Sequence, residues 1–228
     1  MAIENAVLFI LIIFSLCSLM ALMALTQHYQ TKIDKIRLDQ DIELEQIGEH
    51  FLAYLESGED SFDSYLQEFY EGDMPDFYGK YDTDVYGCAL VVKLQDSENV
   101  LRYFRAELAN VFKEENGETK WVVKATYASL SYSEPEDALL EIDKIGDAFV
   151  KYCEEYNDDR NADGFKEYLQ TNSVIPNVEN TEYEFVISPD GTTLYVKKKT
   201  DGENKIMVLG VTISDDNVLK LVSWQYPN

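Results

Sequence analysis

The sequence predicts an α+β protein: an N-terminal transmembrane helix continuing as a long amphipathic stalk, then two similar helix-plus-antiparallel-sheet subdomains. Three observations predict it. Ala6 to Leu25 (AVLFILIIFSLCSLMALMAL) is a run of twenty residues with no charge, Pro or Gly, about 30 Å of helix and enough to cross a bilayer. Neither Pro nor Gly then occurs before Gly48. Beyond it, runs rich in Val, Tyr and Phe alternate with turn-forming residues, and the order helix, short helix, strands comes twice.

Residues 1–5 read as a tail and 6–26 as the membrane helix. The opening residues MAIEN hold no basic side chain, and the apolar run is longer than the core of a signal peptide, so a retained anchor is expected. Residues 27–57 read as a helical stalk. Ile33, Ile36, Leu38, Ile42, Leu44, Ile47, Phe51 and Leu55 recur at mostly helical steps, and Lys32, Asp34, Lys35, Arg37, Asp39 and Asp41 fill the intervals. Ser57-Gly58 is the expected stop, giving a rod of roughly 75 Å with its second half laid on the soluble domain.

Residues 58–132 and 133–228 read as the two subdomains, with the boundary at Ser133–Asp137 around Pro135. Ile47-Gly48…Phe51…Tyr54…Glu56 matches Ile145-Gly146…Phe149…Tyr152…Glu154, and Phe62 and Tyr65-Leu66-Gln67 match Phe165 and Tyr168-Leu169-Gln170. Strands are expected at Val85–Leu94, Val100–Lys113 and Lys120–Leu130, the last two joined at Asn116-Gly117. A second set is expected at Tyr183–Ser188, Thr193–Lys199, Lys205–Ser214 and Val218–Gln225, turning at Pro189-Asp190-Gly191, Asp201-Gly202 and Asp215-Asp216-Asn217. Lys197-Lys198-Lys199 reads as an edge that discourages sheet aggregation. Trp121, Tyr127, Tyr132 and Trp224 read as core or cross-strand residues.

Charge and composition exclude whole classes of function. After Thr26 the chain carries 19 basic and 42 acidic side chains, a net charge of −23, which repels nucleic acid. The 16 Tyr and 11 Phe supply apolar area that a disordered tail lacks. Two His, at 28 and 50, argue against a metallohydrolase or a His-based triad, and no phosphate-binding or nucleophile-elbow motif occurs. An enzyme is not expected. Cys17 lies in the anchor. Cys88 and Cys153 read either as two buried thiols or as one disulfide.

One motif points to a metal. Asp159-Arg160-Asn161-Ala162-Asp163-Gly164 matches the D-x-N-x-D-G opening of a calcium loop, with Asp159, Asn161 and Asp163 offering oxygens at alternate positions. The bidentate Glu such a loop needs is replaced by Gln170. The other reading is a solvated loop before a short helix capped by Asp163. The first copy favours it, keeping Tyr-Leu-Gln without the Asp-rich insertion. No cofactor is expected, calcium being the one candidate.

An apolar N-terminal helix continuing as a stalk into an antiparallel sheet resembles the type IV pilins and pseudopilins, especially minor pilins of Gram-positive bacteria. Glu4 stands one place short of that family's Glu at the fifth mature position. The resemblance implies helix packing through the anchor, with the bilayer as the other partner. Lys32, Lys35 and Arg37 after the anchor favour a cytoplasmic body by the positive-inside rule, but Asp34, Asp39 and Asp41 interleave with them. A Tyr-rich, acidic, hairpin-rich domain is at home outside such a cell, and that side is expected. The function expected is a non-enzymatic surface or envelope protein, with a membrane-tethered sensory or ligand-binding domain as the alternative.

Overall fold

The computed structural model describes the backbone of residues 2–115, 118–131, 137–156, 160–201, 204–213 and 219–227. Of the expected turns and boundary, Asn116-Gly117, Gly202, Asp215-Asp216-Asn217 and residues 133–136 lie outside the described residues. The class is α+β. Two compact units form, Met1–Gln46 and Ile47–Asn228.

One helix, α1 (Ala2–Ser57), makes up the first unit and supplies the opening of the second. It stops where expected: Gly58 takes φ +79, a left-handed conformation that ends a helix without steric cost. In the first unit, residues 12–39 are all exposed, including Ile33, Ile36 and Leu38. The expected single stripe is corrected here. Ile36 and Leu38 are two residues apart, about 200° around a helix, so Leu38 and Ile42 form a second apolar line opposite Ile33 and Ile36.

In the second unit, Ile47, Gly48 and Phe51 of α1 are buried. Then come α2 (Phe62–Phe69), a 3-10 turn (Asp76–Lys80), and strands β1 (Tyr81–Tyr86), β2 (Ala89–Leu94), β3 (Val100–Glu115) and β4 (Glu118–Ser131). The order repeats as α3 (Asp137–Glu155), α4 (Ala162–Thr171), a 3-10 turn (Val178–Asn180) and strands β5 (Tyr183–Ile187), β6 (Thr193–Lys198), β7 (Lys205–Ile213) and β8 (Leu219–Gln225). Each short helix starts at a side-chain cap. Ser61 accepts from Ser64 N at 3.1 Å, and Asn161 accepts from Gly164 N at 2.9 Å.

Both halves share one antiparallel sheet of eight strands, ordered β1-β2-β3-β8-β7-β6-β5. Residues 103–105 of β3 pair with β2 and β4, and residues 108–109 with β8 and β4. β2 and β8 therefore share one edge of β3, and β4 takes the other. Two expectations are corrected. The run Val85–Leu94 is a hairpin, turned at Gly87 (φ +55) and Cys88, with Tyr86 opposite Ala89. Lys197 and Lys198 end an inner strand, since β5 pairs outside β6.

The halves agree in detail. Phe51 meets Phe62 edge-on at 5.8 Å and 88°, and Phe149 meets Phe165 at 5.4 Å and 84°. Tyr54 and Tyr152 lie 5.6 and 5.5 Å from those same partners. The ladder slips after Val92 in β2 and after Val196 in β6, each time before a Lys.

Each half sets its main helix on the sheet through a glycine. A Cβ at Gly48 would run into the Phe104 ring, and one at Gly146 into the Trp224 ring. Ala in a helix interior is ordinarily better than Gly by about 1 kcal/mol. Gly146→Ala should instead destabilise the protein by about 1–3 kcal/mol through overpacking. Urea denaturation followed by tryptophan fluorescence checks the sign, and a gain in stability would show that the helix can lift away freely.

Candidate functional site

The loop before α4 is organised by the chain's own groups. The helix is capped by Asn161, correcting the expected cap at Asp163, which sits instead in the first turn and meets Lys166 at 3.2 Å. Asn161 Oδ1 thus accepts a backbone N–H, and the Asp163 side chain is largely exposed. Asp159 lies outside the described residues. Arg160 is buried, with its guanidinium donating to the Cys153 carbonyl at 2.9 Å and to the Tyr156 carbonyl at 2.5 Å. A cation of the chain itself therefore sits on the C-terminal carbonyls of α3, where the helix dipole is negative. Among the described residues no group of three metal-ligating side chains forms.

The strongest concentration of ionisable groups lies elsewhere, between α3 and β3. Asp143 is fully buried on α3, about 100° around the helix from the stripe that carries Ile142, Ile145 and Phe149. Its carboxylate accepts from the Tyr103 hydroxyl, from Arg105 Nη2 at 2.6 Å and from the Tyr226 hydroxyl at 2.6 Å. Arg105 also donates to the Leu139 carbonyl at 3.1 Å, and its guanidinium stacks over the Tyr226 ring at 4.1 Å. Cys88 Sγ lies 3.2 Å from the Tyr226 hydroxyl. Burial pushes the Asp143 carboxyl upward, against the pull of the Tyr226 hydrogen bond, and raises Tyr226 and Cys88 as well. Arg105 is shifted down by the same desolvation.

With both its oxygens engaged, Asp143 acts as a clamp. It ties α3 to β3 and to the tail of β8, across the join between the two halves. The sequence reading missed it because one carboxylate among 43 acidic residues draws no notice. The signal was its place beside Leu139 and Leu140, on a second apolar face of the helix.

Other sites read from sequence stay apart. Cys88 and Cys153 are free buried thiols, and burial holds Cys153 up at about 11. Trp224 is fully buried, whereas the side chains of Trp121, Tyr127 and Tyr132 lie outside the described residues. His50 sits among Tyr65, Phe69, Tyr70 and Tyr78, with Nε2 at 2.9 Å from the Tyr70 hydroxyl. No protein-family model, no curated protein and no solved structure matches the chain.

Removing one partner of the clamp strands a buried charge. Asp143→Ala should cost about 3–5 kcal/mol in urea denaturation, and Asp143→Leu combined with Arg105→Met should recover most of that loss. A double variant no more stable than Asp143→Ala would show that the pair contributes net stability.

His50 predicts a pH effect of definite sign. Burial lowers it from its ordinary 6.5, with Glu49 opposing. Below that value the unfolded chain protonates first, so the contribution is complete above pH 6.5 and is lost as pH falls through the native pKa. Between pH 7.5 and 5, the melting temperature of the natural protein should fall further than that of His50→Gln. Parallel curves would remove His50 from the account.

Proposed function

We propose that this chain is a non-enzymatic, single-pass membrane protein, a minor-pilin-like or envelope assembly component. Its first helix holds an acidic folded body at the bilayer surface. One observation carries the reading. Ile12, Ile13, Phe14, Leu16, Leu19, Met20, Leu22, Met23 and Leu25 are 45–72% exposed and point in every direction around α1. In water such a surface is costly at about 25 cal/mol per Å² of apolar area, and in lipid the cost vanishes. The helix satisfies its own backbone, as a spanning segment must.

The body belongs outside the cell in this reading, its net negative charge keeping it off anionic headgroups. The matched aromatic contacts and paired ladder slips support descent of the two halves from one duplicated unit. Packing of anchors against one another or against pilin-like helices is the partner contact this reading implies. A metal or other cofactor plays no part in it.

Alkaline carbonate washing tests the anchor. The full-length protein should stay with the membrane pellet, and Leu16→Arg with Met20→Arg should release it intact. Cys17, the one exposed thiol, should react with a membrane-permeant maleimide and resist a charged one until detergent is added. Intact natural protein in the carbonate supernatant would overturn the reading.

A further inference from the structure

The two halves treat equivalent sheet faces differently. In the first half, β1–β3 are covered on both sides. Phe104 faces Gly48 of α1. The alternate residues Ala89, Val91 and Tyr103 form a buried cluster on the other side, with Leu140 of α3 packed against it. Asp143 reaches Tyr103 and Arg105 on that face, and Lys144 lies over the Tyr86 ring at 5.2 Å. A helix of the second half thus roofs the back of the first half's sheet.

In the second half the inner face is filled. Phe165 of α4 meets Phe185, and Gly146 of α3 meets Trp224. The back face carries Val186, Tyr195 and Val208 in register, the counterparts of Asp84, Val91 and Tyr103. Val186 is 37% exposed, and Tyr195 and Val208 are half-buried. Lys197 and Lys205 sit opposite each other on it, with Lys205 Nζ 4.2 Å above the Tyr195 ring. The pair Asp143–Arg105 is not copied, since Gly210 holds the place of Arg105; Lys197 has Lys93 as its counterpart, and Lys205 takes the place of Val100.

The matching helix surface also exists in this chain. With Ile47, Gly48 and Phe51 as counterparts of Ile145, Gly146 and Phe149, the roofing residues Leu139, Leu140 and Asp143 correspond to Asp41, Ile42 and Glu45 of α1. Ile42 is 52% exposed, and Leu38, one turn earlier on the same line, 59%. This apolar line is flanked by carboxylates, and the sheet face by Lys205 and by Lys197, which stands opposite Glu184.

We propose that this protein binds a second copy of itself head to tail. The Leu38–Glu45 stretch of α1 in one copy covers the outer face of β5–β7 in the next, as α3 covers β1–β3 within the chain. The two surfaces differ, so the contact is heterologous and each bound copy presents a fresh face to a further one. Both surfaces lie outside Ala6–Leu25, so the contact stands independently of the anchor.

Oxidative cross-linking of the full-length protein in detergent, with Cys17→Ser and the two buried thiols left in place, tests this. Ile42→Cys with Val208→Cys in one chain should give a ladder beginning at dimer on non-reducing gels. An equal mixture of the two single variants should stop at dimer, and each single variant alone should remain monomeric. Adding Tyr195→Glu should reduce the ladder at least tenfold. The pair Leu38→Cys with Val186→Cys, both on exposed positions, gives the same readout without touching the half-buried strand. Monomer alone from both double variants, or single variants that dimerise by themselves, overturns the proposal.

Discussion

The helix α3 serves two interfaces at once, and the ion pair between Asp143 and Arg105 is what fixes it in both. Apolar contact alone would hold α3 to its own sheet through Phe149, Phe165 and Phe185. It would leave the helix free to slide over the back of β1–β3, because apolar packing has little directional preference. A carboxylate that must meet one guanidinium and two phenols has a single register. Gly146 then allows the closest approach on the other side, where Trp224 lies between it and Gly87. Trp224 Nε1 finds no hydrogen-bond partner among the described residues, a cost accepted so that the ring fills the join.

Charge is distributed by residue type. The chain holds four arginines, and three of them, Arg102, Arg105 and Arg160, are drawn into the body. A planar guanidinium with five donors can satisfy carbonyls and a carboxylate together, which a lysine ammonium does less well when desolvated. Lysines stay at the surface, as Lys151 does where it meets the half-buried Asp147. The large negative charge is therefore a property of the shell, while the interior is organised by cations.

Periodicity made the second half's strands legible, with boundaries within a residue or so, because Tyr183–Ile187 and Thr193–Lys198 alternate buried and exposed positions cleanly. β1 was hidden, because its end merges with β2 into one apolar run and Gly87 looks like an interior strand residue. The end of α1 was legible from Gly58. Its exposed face was not, since spacings of two, three and four residues read alike until they are placed around a cylinder. At the loop before α4, Asn161 and Asp163 are equally good caps by composition, and the chain's path decided for Asn161. Asp143 shows the opposite limit. Its position was visible, but its partners Arg105 and Tyr226 are distant in sequence and come together only through the fold.

The halves differ most where each has no neighbour to imitate. Position 148 is Ala and buried in α3, and its counterpart is His50, which sits among aromatic rings of α2 and the turn after it. α3 packs against both halves and carries the small residue, whereas α1 carries the bulkier polar one against its own short helix. The same logic separates the back faces. The first half's face is apolar and carries Arg105 because α3 brings Asp143 to it. The second half's face retains Tyr195 and Val208 but replaces Arg105 with Gly210 and Val100 with Lys205, a mixture that tolerates water when uncovered and still fits an acidic helix. End modules of repeat proteins commonly carry such polar outer faces. Here Lys205 adds a cation beside the register pair of Lys197 and Glu184, a face that tolerates water and leaves one positive charge for an acidic helix.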